Sequence, residues 1–421
     1  MKKGYKVIAV LMCLMIILSV SACSDYDNKE SAVQKTYNTL FKQPSSVIPN
    51  TASSETETVS SDEVEETIVT VARKKKRVYY KQDTDMRNIT SEQLLQEINI
   101  GINLGDSFNG SGIGYGKSIE EYESFAGNPI VTEELIEAYY KAGFKAVRIP
   151  VSWTDHIDSD MNIDDTWTEN IKMIVDSILN YNMYCIINTQ NDQSWLTTAK
   201  SGFNLTKQKF EKLWTNIATE FGEYNDRLLF ESAGEFLKAD NDRSEPSKAD
   251  LKNANILNGV FVNAVRKTGG KNANRHLIVT TYGSFIDENT LSGFEIPTDT
   301  VKNRLIAKVN AYVPSSFCLD GSGNALWGSK EDRQYLLSVL TSVYSRFSQL
   351  NIPVIIGEFG VINKGNESPK VAYTQFFIET AYNYYMVCFW YDDGRDFNLI
   401  NRYDYEIKHE RLLKQMIKSA K

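Results

Sequence analysis

Two glutamates follow short apolar runs that have the pattern of buried strands. The run 228–230 precedes Glu235, and the run 352–357 leads directly into Glu358. Carboxyl groups delivered by separate strand ends can meet across a pocket. One carboxyl group that holds a proton and one that is ionised are the minimum equipment for cleaving a glycosidic bond. The competing interpretation is that each glutamate forms a structural salt bridge at its strand end.

The elements that must position these glutamates are strand-like runs that alternate with helical patterns. Eight continuous apolar runs predict strands at 98–104, 146–150, 183–188, 227–231, 276–281, 305–311, 353–358 and 386–391. Helical periodicity covers 132–142, 165–181, 206–224, 248–268, 330–349, 368–384 and 405–419. Unbroken apolar runs are typical of strands buried on both faces, and their alternation with helices predicts parallel pairing. The expected fold class is therefore α/β, a single (β/α)8 TIM barrel over residues 86–421.

Polar and aromatic residues follow these strands, at the end of the barrel where active sites are built. No Gly-rich phosphate loop follows the first strand, which disfavours a nucleotide-binding sheet. The residues expected at the rim include Asn103, Arg148, Gln190, Asn191, Asp192, Trp195, Glu231, Glu235, Asn310, Tyr312, Glu358 and Trp390. Amides and carboxylates bind sugar hydroxyls, and aromatic faces stack on pyranose rings. The rim therefore predicts a site for carbohydrate.

The N-terminus has the pattern of a targeting segment. Lys2 and Lys3 precede an apolar stretch at 7–20, which ends in Val-Ser-Ala before Cys23. This pattern predicts a lipoprotein signal peptide at 1–22 and a lipidated Cys23. An ordinary signal or a membrane anchor are the alternatives, although the stretch is short for a membrane span. Residues 23–85 are polar and aperiodic, which predicts a disordered tether that holds the barrel at the bacterial cell surface.

The composition of the chain limits which partners, metals and cofactors are expected. The formal net charge of -8 over 421 residues argues against nucleic acid. Three His and the Cys spacings indicate no metal site, and no cofactor is expected. Of the three cysteines beyond Cys23, Cys185 and Cys388 lie in apolar strand-like runs, which predicts buried free thiols rather than a disulfide framework. The chain is expected to be a monomer, anchored in the membrane through Cys23 or secreted.

Four segments resemble glycoside hydrolase family 5, especially its bacterial endo-β-1,4-glucanase and xyloglucanase branch. They are 101–105 (Gly-Ile-Asn-Leu-Gly), 142–153 (Ala-Gly-Phe-Lys-Ala-Val-Arg-Ile-Pro-Val-Ser-Trp), 353–360 (Pro-Val-Ile-Ile-Gly-Glu-Phe-Gly) and 388–392 (Cys-Phe-Trp-Tyr-Asp). The resemblance spans about residues 86–421. It implies hydrolysis of β-linked plant cell-wall polysaccharide by double displacement.

The resemblance also assigns roles to individual residues. It implies that Glu235 is the general acid/base and Glu358 the nucleophile. Arg148 and Tyr312 would then lie beside Glu358, and Trp390 would form the floor of a sugar subsite.

The chain departs from the family pattern at three supporting positions. Gly234 stands where the family has Asn before the acid/base, Gln190 and Asn191 where it has His after strand three, and Asn310 where it has His on strand six. Two hypotheses follow, a retaining β-glycanase of reduced activity and a surface lipoprotein that binds glycans without cleaving them. A plain structural surface protein is the third. The intact glutamate pair favours the hydrolase.

Overall fold

The computed structural model of the chain describes residues 86–421. The predicted signal peptide at 1–22, the lipidation site Cys23 and the tether at 23–85 lie outside the described residues.

Eight parallel strands close into a barrel in chain order, which confirms the predicted (β/α)8 TIM barrel. The strands are β1 (Ile100–Leu104), β2 (Ala146–Ile149), β3 (Tyr184–Ile187), β4 (Leu228–Glu231), β5 (Leu277–Thr280), β6 (Leu305–Asn310), β7 (Val354–Phe359) and β8 (Val387–Asp392). The barrel closes between β1 and β8, where Ile100 pairs with Cys388. Each strand lies within two residues of its predicted limits because the apolar runs set them.

The helices pack around this barrel. They are α1 (Ser91–Leu95), α2 (Ile119–Glu123), α3 (Glu133–Ala142), α4 (Asp165–Asn180), α5 (Phe203–Glu220), α6 (Lys248–Lys267), α7 (Glu288–Gly293), α8 (Ser315–Cys318), α9 (Lys330–Gln349), α10 (Glu367–Asn383) and α11 (Glu410–Ser419). Short 3-10 turns lie at Thr154–His156, Ala239–Asn241 and Gly270–Ala273. None of these helices is long and apolar enough to cross a membrane.

The predicted long helices are confirmed, but α5 begins three residues earlier and α11 five residues later than expected. The N-cap residue of α5 is Gly202, which has a left-handed backbone conformation with φ of 74°. Among the described residues, no side chain caps this end of the helix. The Thr206 hydroxyl, which has the chemistry of a cap, instead donates to the carbonyl oxygen of Trp195 at 3.2 Å. A tertiary contact therefore uses the group that local sequence assigns to capping. The short helices α1, α2, α7 and α8 were not predicted.

Strand side chains alternate between the inside of the barrel and the helix layer. Inward residues form a compact apolar plug that includes Ile186, Leu229, Ile278 and Phe389. Residues of the opposite parity pack against the helices. The predicted buried thiols of Cys185 and Cys388 are confirmed, and Cys318 is also buried and free. The buried polar side chains of Asn103, Arg148, Glu231 and Lys308 lie toward the carboxyl ends of their strands, and there they build the site.

Candidate active site

Arg148 is the centre of a buried charged cluster at the carboxyl end of the barrel. Its Nε and Nη2 atoms donate to both carboxylate oxygens of Glu231, at 2.7 and 2.6 Å. Its Nη1 atom donates to Glu358 Oε1 at 3.0 Å. Arg148 and Glu231 are fully buried. Burial opposes the charge on Arg148, but Glu231 and Glu358 outweigh it, so the pKa of Arg148 is raised.

Glu358 is held from two sides. Besides Arg148, the Tyr312 hydroxyl donates to Glu358 Oε2 at 3.3 Å. Asn103 accepts from Arg148 Nη1 at 2.8 Å and donates to the Gly357 carbonyl oxygen at 2.9 Å. The Glu358 side chain is thus fixed through the peptide before it and through both of its oxygens. These contacts match the roles expected of Arg148 and Tyr312, and they suit a carboxylate that must be charged and oriented.

Lys308 on β6 forms a second buried cation beneath the glutamates. Its Nζ donates to the Gly234 carbonyl oxygen at 2.5 Å and to Ser284 Oγ at 2.8 Å, and it lies 3.7 Å from Glu231. Burial lowers the pKa of Lys308 to about 8, while the Glu231 charge opposes this change. Ser284 Oγ also donates to the Gly234 carbonyl oxygen, at 2.6 Å. The peptide immediately before Glu235 is therefore fixed from inside the barrel.

Glu235 lies four residues beyond the end of β4, and only 5% of it is exposed. Its Oε1 atom forms a close ion pair with Nη2 of Arg243, a residue on the loop between β4 and α6. Arg243 is itself mostly buried, with 11% of its side chain exposed. The residue predicted to act as the acid therefore has a cationic partner that the sequence interpretation did not include.

Gly234 and Gln190 occupy one space beside Glu235. A Cβ atom added to Gly234 would lie 1.4 Å from Gln190 Oε1 and 2.3 Å from Gln190 Cδ. Gln190 Oε1 accepts from Asn188 Nδ2 at 3.3 Å, and Asn188 Nδ2 also donates to Glu231 at 3.0 Å. The Gln190 carboxamide is thus anchored to the charged cluster and covers the backbone of Gly234.

The remaining predicted binding residues differ in what they contact. Asn191, at φ of 58°, donates from Nδ2 to the Asn109 carbonyl oxygen at 2.7 Å and ties two rim loops together. Asn310 pairs with Glu358 across β6 and β7, and its Oδ1 atom is buried without a hydrogen-bond donor from the described residues. Trp195 is half-buried and packs against the hydrophobic core. Asn310 is therefore beside the glutamates, whereas Asn191 supports a loop.

The expectation for Trp390 is wrong, because its side chain points away from the barrel interior. Trp390 is fully buried, and its Nε1 atom donates to the Phe397 carbonyl oxygen at 2.8 Å. The next residue, Tyr391, has the opposite parity and is half-buried. Its ring centroid lies 6.5 Å from that of Tyr312, and its hydroxyl donates to Asp106 Oδ1 at 3.2 Å. The aromatic side chain that β8 contributes to the site is Tyr391.

Three residues of the site were missed from sequence, and two of them had a signal. Lys308 is a charged residue inside an otherwise apolar strand, as Arg148 is. Tyr391 follows from the two-residue period of β8 once Phe389 is placed inside. Arg243 lies in an aperiodic loop, where no sequence pattern indicates which side chain turns inward.

A glutamate that follows β4, a glutamate on β7 and a buried arginine on β2 of a closed barrel define a candidate glycosidase site. Residues 108–396 match the family model described as Cellulase (glycosyl hydrolase family 5). The chain belongs to this family.

Curated relatives and solved structures agree with this membership. Endoglucanase A of Paenibacillus barcinonensis is 32% identical over 369 residues, which cover 78% of this chain and 90% of that protein. Endoglucanase A of Clostridium longisporum is 31% identical over 327 residues, 74% of this chain and 62% of that protein. This chain thus spans less than two thirds of the Clostridium protein. A broad-specificity endoglucanase from Ruminococcus champanellensis, solved with bound cellotriose, superposes with a TM-score of 0.76 at 33% identity, covering 79% of this chain and 100% of that one.

Proposed function

We propose that the chain is a retaining endo-β-1,4-glucanase that hydrolyses plant cell-wall β-glucan by double displacement. The observation that carries the proposal is the environment of Glu358, whose two oxygens accept from Arg148 and from Tyr312. An arginine and a phenol that donate to one carboxylate fix its direction. Membership of glycosyl hydrolase family 5 supports the same activity.

In the first half of the reaction, Glu358 attacks the anomeric carbon while Glu235 gives its proton to the departing glycosidic oxygen. The bond from carbon to that oxygen breaks as the ester bond to Glu358 forms. In the second half, Glu235 takes a proton from water, whose oxygen attacks the anomeric carbon and releases Glu358. The sum is hydrolysis with retention of the β-configuration, and each group returns to its starting state.

The test is release of reducing ends from β-1,4-glucan, xyloglucan, xylan and mannan, compared with Glu358→Gln. This variant keeps the size of the side chain and removes the nucleophilic charge. We expect wild-type turnover on at least one β-1,4-glucan, with the β-anomer released first, and a loss in the variant on the order of 10^4 or more. Equal release by both proteins would contradict the proposal, and oligosaccharide binding without turnover would favour the glycan-binding alternative.

The endo mode has a separate measurement. An enzyme that cuts inside chains lowers the viscosity of a soluble β-glucan well before many reducing ends appear. An enzyme that works from chain ends produces reducing ends first. A steep early fall in viscosity is the expected result, and a viscosity that falls only in proportion to product would exclude the endo mode.

We also propose that the protein is a monomer anchored to the outer face of the membrane through lipid on Cys23. The support is the sequence pattern of residues 1–23, with basic residues, an apolar stretch and small residues before the cysteine. In a bacterial host, the full chain should partition into the detergent phase of a membrane extract, and Cys23→Ser should not. Partitioning that is the same for both proteins would contradict the anchor, and light scattering of the purified barrel would test the monomer.

A further inference from the structure

The space beside Gly234 is filled by a neighbouring side chain, and the backbone of Gly234 does not itself call for glycine. Gly234 is absent from the residues of positive φ in the described part of the chain, so its conformation is open to other residues. What excludes a side chain there is Gln190, whose Oε1, Cδ and Nε2 atoms lie 1.4, 2.3 and 2.9 Å from the Cβ position. Distances below about 3 Å are overlaps, so any residue larger than glycine must displace Gln190.

The Gln190 carboxamide has a defined orientation in this space. Its backbone N–H donates to the Val151 carbonyl oxygen at 2.7 Å, and its Oε1 accepts from Asn188 at 3.3 Å. The two loops are joined by a bond from Gly234 N to the Thr189 carbonyl oxygen at 2.7 Å. Within residues 86–421, Gln190 is half-buried and its amide oxygen is already engaged. The Nε2 group, with two N–H donors, is the part that remains for a ligand.

We propose that Gln190 is a substrate-binding residue that donates from Nε2 to a hydroxyl of the sugar next to Glu235. This inference rests on the proposed function, because it assigns a contact within the same site. Residues 190 and 234 depend on each other. The side chain of Gln190, which follows β3, occupies the space that a side chain at 234 would take, and glycine at 234 leaves that space open. The departures from the family pattern at these two positions are then a single coupled exchange.

The test is a double-mutant cycle of Gln190→Ala, Gly234→Ala and the double variant, measured as kcat/KM on β-1,4-glucan. Gln190→Ala removes the donor, and Gly234→Ala pushes the same amide aside. We expect each single variant to lose activity on the order of 10^2, the size seen for one lost donor at a reacting centre. The double variant should lose no more than the worse single variant, whereas losses that multiply would overturn the coupling.

Two further variants separate binding from packing. Gln190→Glu keeps the shape and removes the N–H donors, so it should be as impaired as Gln190→Ala. Full activity in Gln190→Glu would overturn the assignment. The matched control is Gly259→Ala on α6, where an added Cβ meets no atom within 4 Å. It should keep wild-type kcat/KM, and thermal denaturation should show every variant folded.

A measurement of the affinity for cellotetraose tests the role of Gln190 without depending on turnover. In the Glu358→Gln background, loss of one hydrogen bond at Gln190 should weaken binding about three- to tenfold. If the wild-type protein proves inactive on all polysaccharides, the proposed function fails while this measurement still decides the role of Gln190. Unchanged affinity in Gln190→Ala would overturn the inference even if hydrolysis is confirmed.

Discussion

Arg243 pairs with Glu235, the residue assigned to proton transfer, and does so from a loop rather than from the barrel. The two buried cations described above start from strands instead, since Arg148 lies on β2 and Lys308 on β6. Arg243 Nη2 holds one carboxylate oxygen of Glu235, whereas the first half of the proposed reaction needs that carboxyl group to reach the glycosidic oxygen. The ion pair with Arg243 and proton transfer to the substrate therefore compete for the same carboxyl group. The position of the loop that carries Arg243 determines which of the two contacts Glu235 makes.

Replacing Arg243 by Gln should therefore raise activity on polysaccharide. One ion-pair contact is worth roughly 0.5–1 kcal/mol, so its loss should give about a two- to fivefold gain in kcat. The gain should be absent for a dinitrophenyl β-cellobioside, whose leaving group departs without acid assistance.

A control for this change is available in the same loop. Lys238 bonds Ser244 and the Glu245 carbonyl oxygen, and it makes no bond to Glu235 within residues 86–421. Lys238→Gln should leave both rates near wild type. A fall in polysaccharide activity for Arg243→Gln would show instead that Arg243 orients the acid.

The barrel itself could be predicted because its strands are unbroken apolar runs. Glu358 and Arg148 could be placed for the same reason, since each lies on such a run and its parity follows from its neighbours. Local sequence was less informative where tertiary contacts decide the outcome. The start of α5 is an example, because the Thr206 hydroxyl is used by a distant carbonyl oxygen.

Gly234 and Gln190 show a different limit of sequence. Considered one at a time, each replacement looks like a lost contact. The structure shows that the two replacements are linked, because the Gln190 side chain occupies the position that a Cβ atom of residue 234 would take. The spacing of residues along the chain cannot reveal this overlap, because Gln190 follows β3 and Gly234 follows β4.

Tyr391 and Trp390 provide a test of which aromatic side chain meets the substrate. Tyr391→Ala should weaken cellotetraose binding about three- to tenfold, because a ring contact is worth roughly 0.5–1.5 kcal/mol. Trp390→Phe should leave affinity unchanged but destabilise the barrel by about 1–3 kcal/mol, since the Phe397 carbonyl oxygen loses its donor. Calorimetric titration and denaturant unfolding measure the two effects. A large affinity loss in Trp390→Phe with normal stability would return the sugar contact to Trp390.

His276 should make the stability of the barrel depend on acid pH. It is fully buried between Ser91 Oγ at 2.9 Å and Arg304 Nη1 at 2.8 Å. Burial, together with the nearby arginines, lowers the pKa of His276 to about 3. The unfolded state binds its proton at about 6.5, so this stability is present above that pH and is lost as pH falls toward 3.

The contribution of His276 can be measured by comparing how the free energy of unfolding changes with pH in the wild type and in a His276 variant. Each pH unit between the two pKa values costs up to about 1.4 kcal/mol of unfolding free energy for one proton. His276→Gln removes the titrating group and keeps a polar side chain, so its stability should fall less steeply between pH 6 and 4 than that of the wild type. Parallel curves for the two proteins would contradict the assignment.

Lys308 should affect catalysis through the peptide that precedes Glu235. Lys308→Met keeps most of the length of the side chain but removes the donor to the Gly234 carbonyl oxygen and the cation near Glu231. We expect kcat to fall on the order of 10^2 with a smaller change in KM, because the acid rather than the sugar loses its support. The pKa of Lys308 is lowered to about 8 by burial, so above that pH the wild-type side chain is also uncharged. The ratio of wild-type to variant kcat should therefore be largest below pH 7 and decline as pH rises through 8. A ratio that is constant from pH 6 to 9.5 would show that the Lys308 charge has no part in holding Glu235.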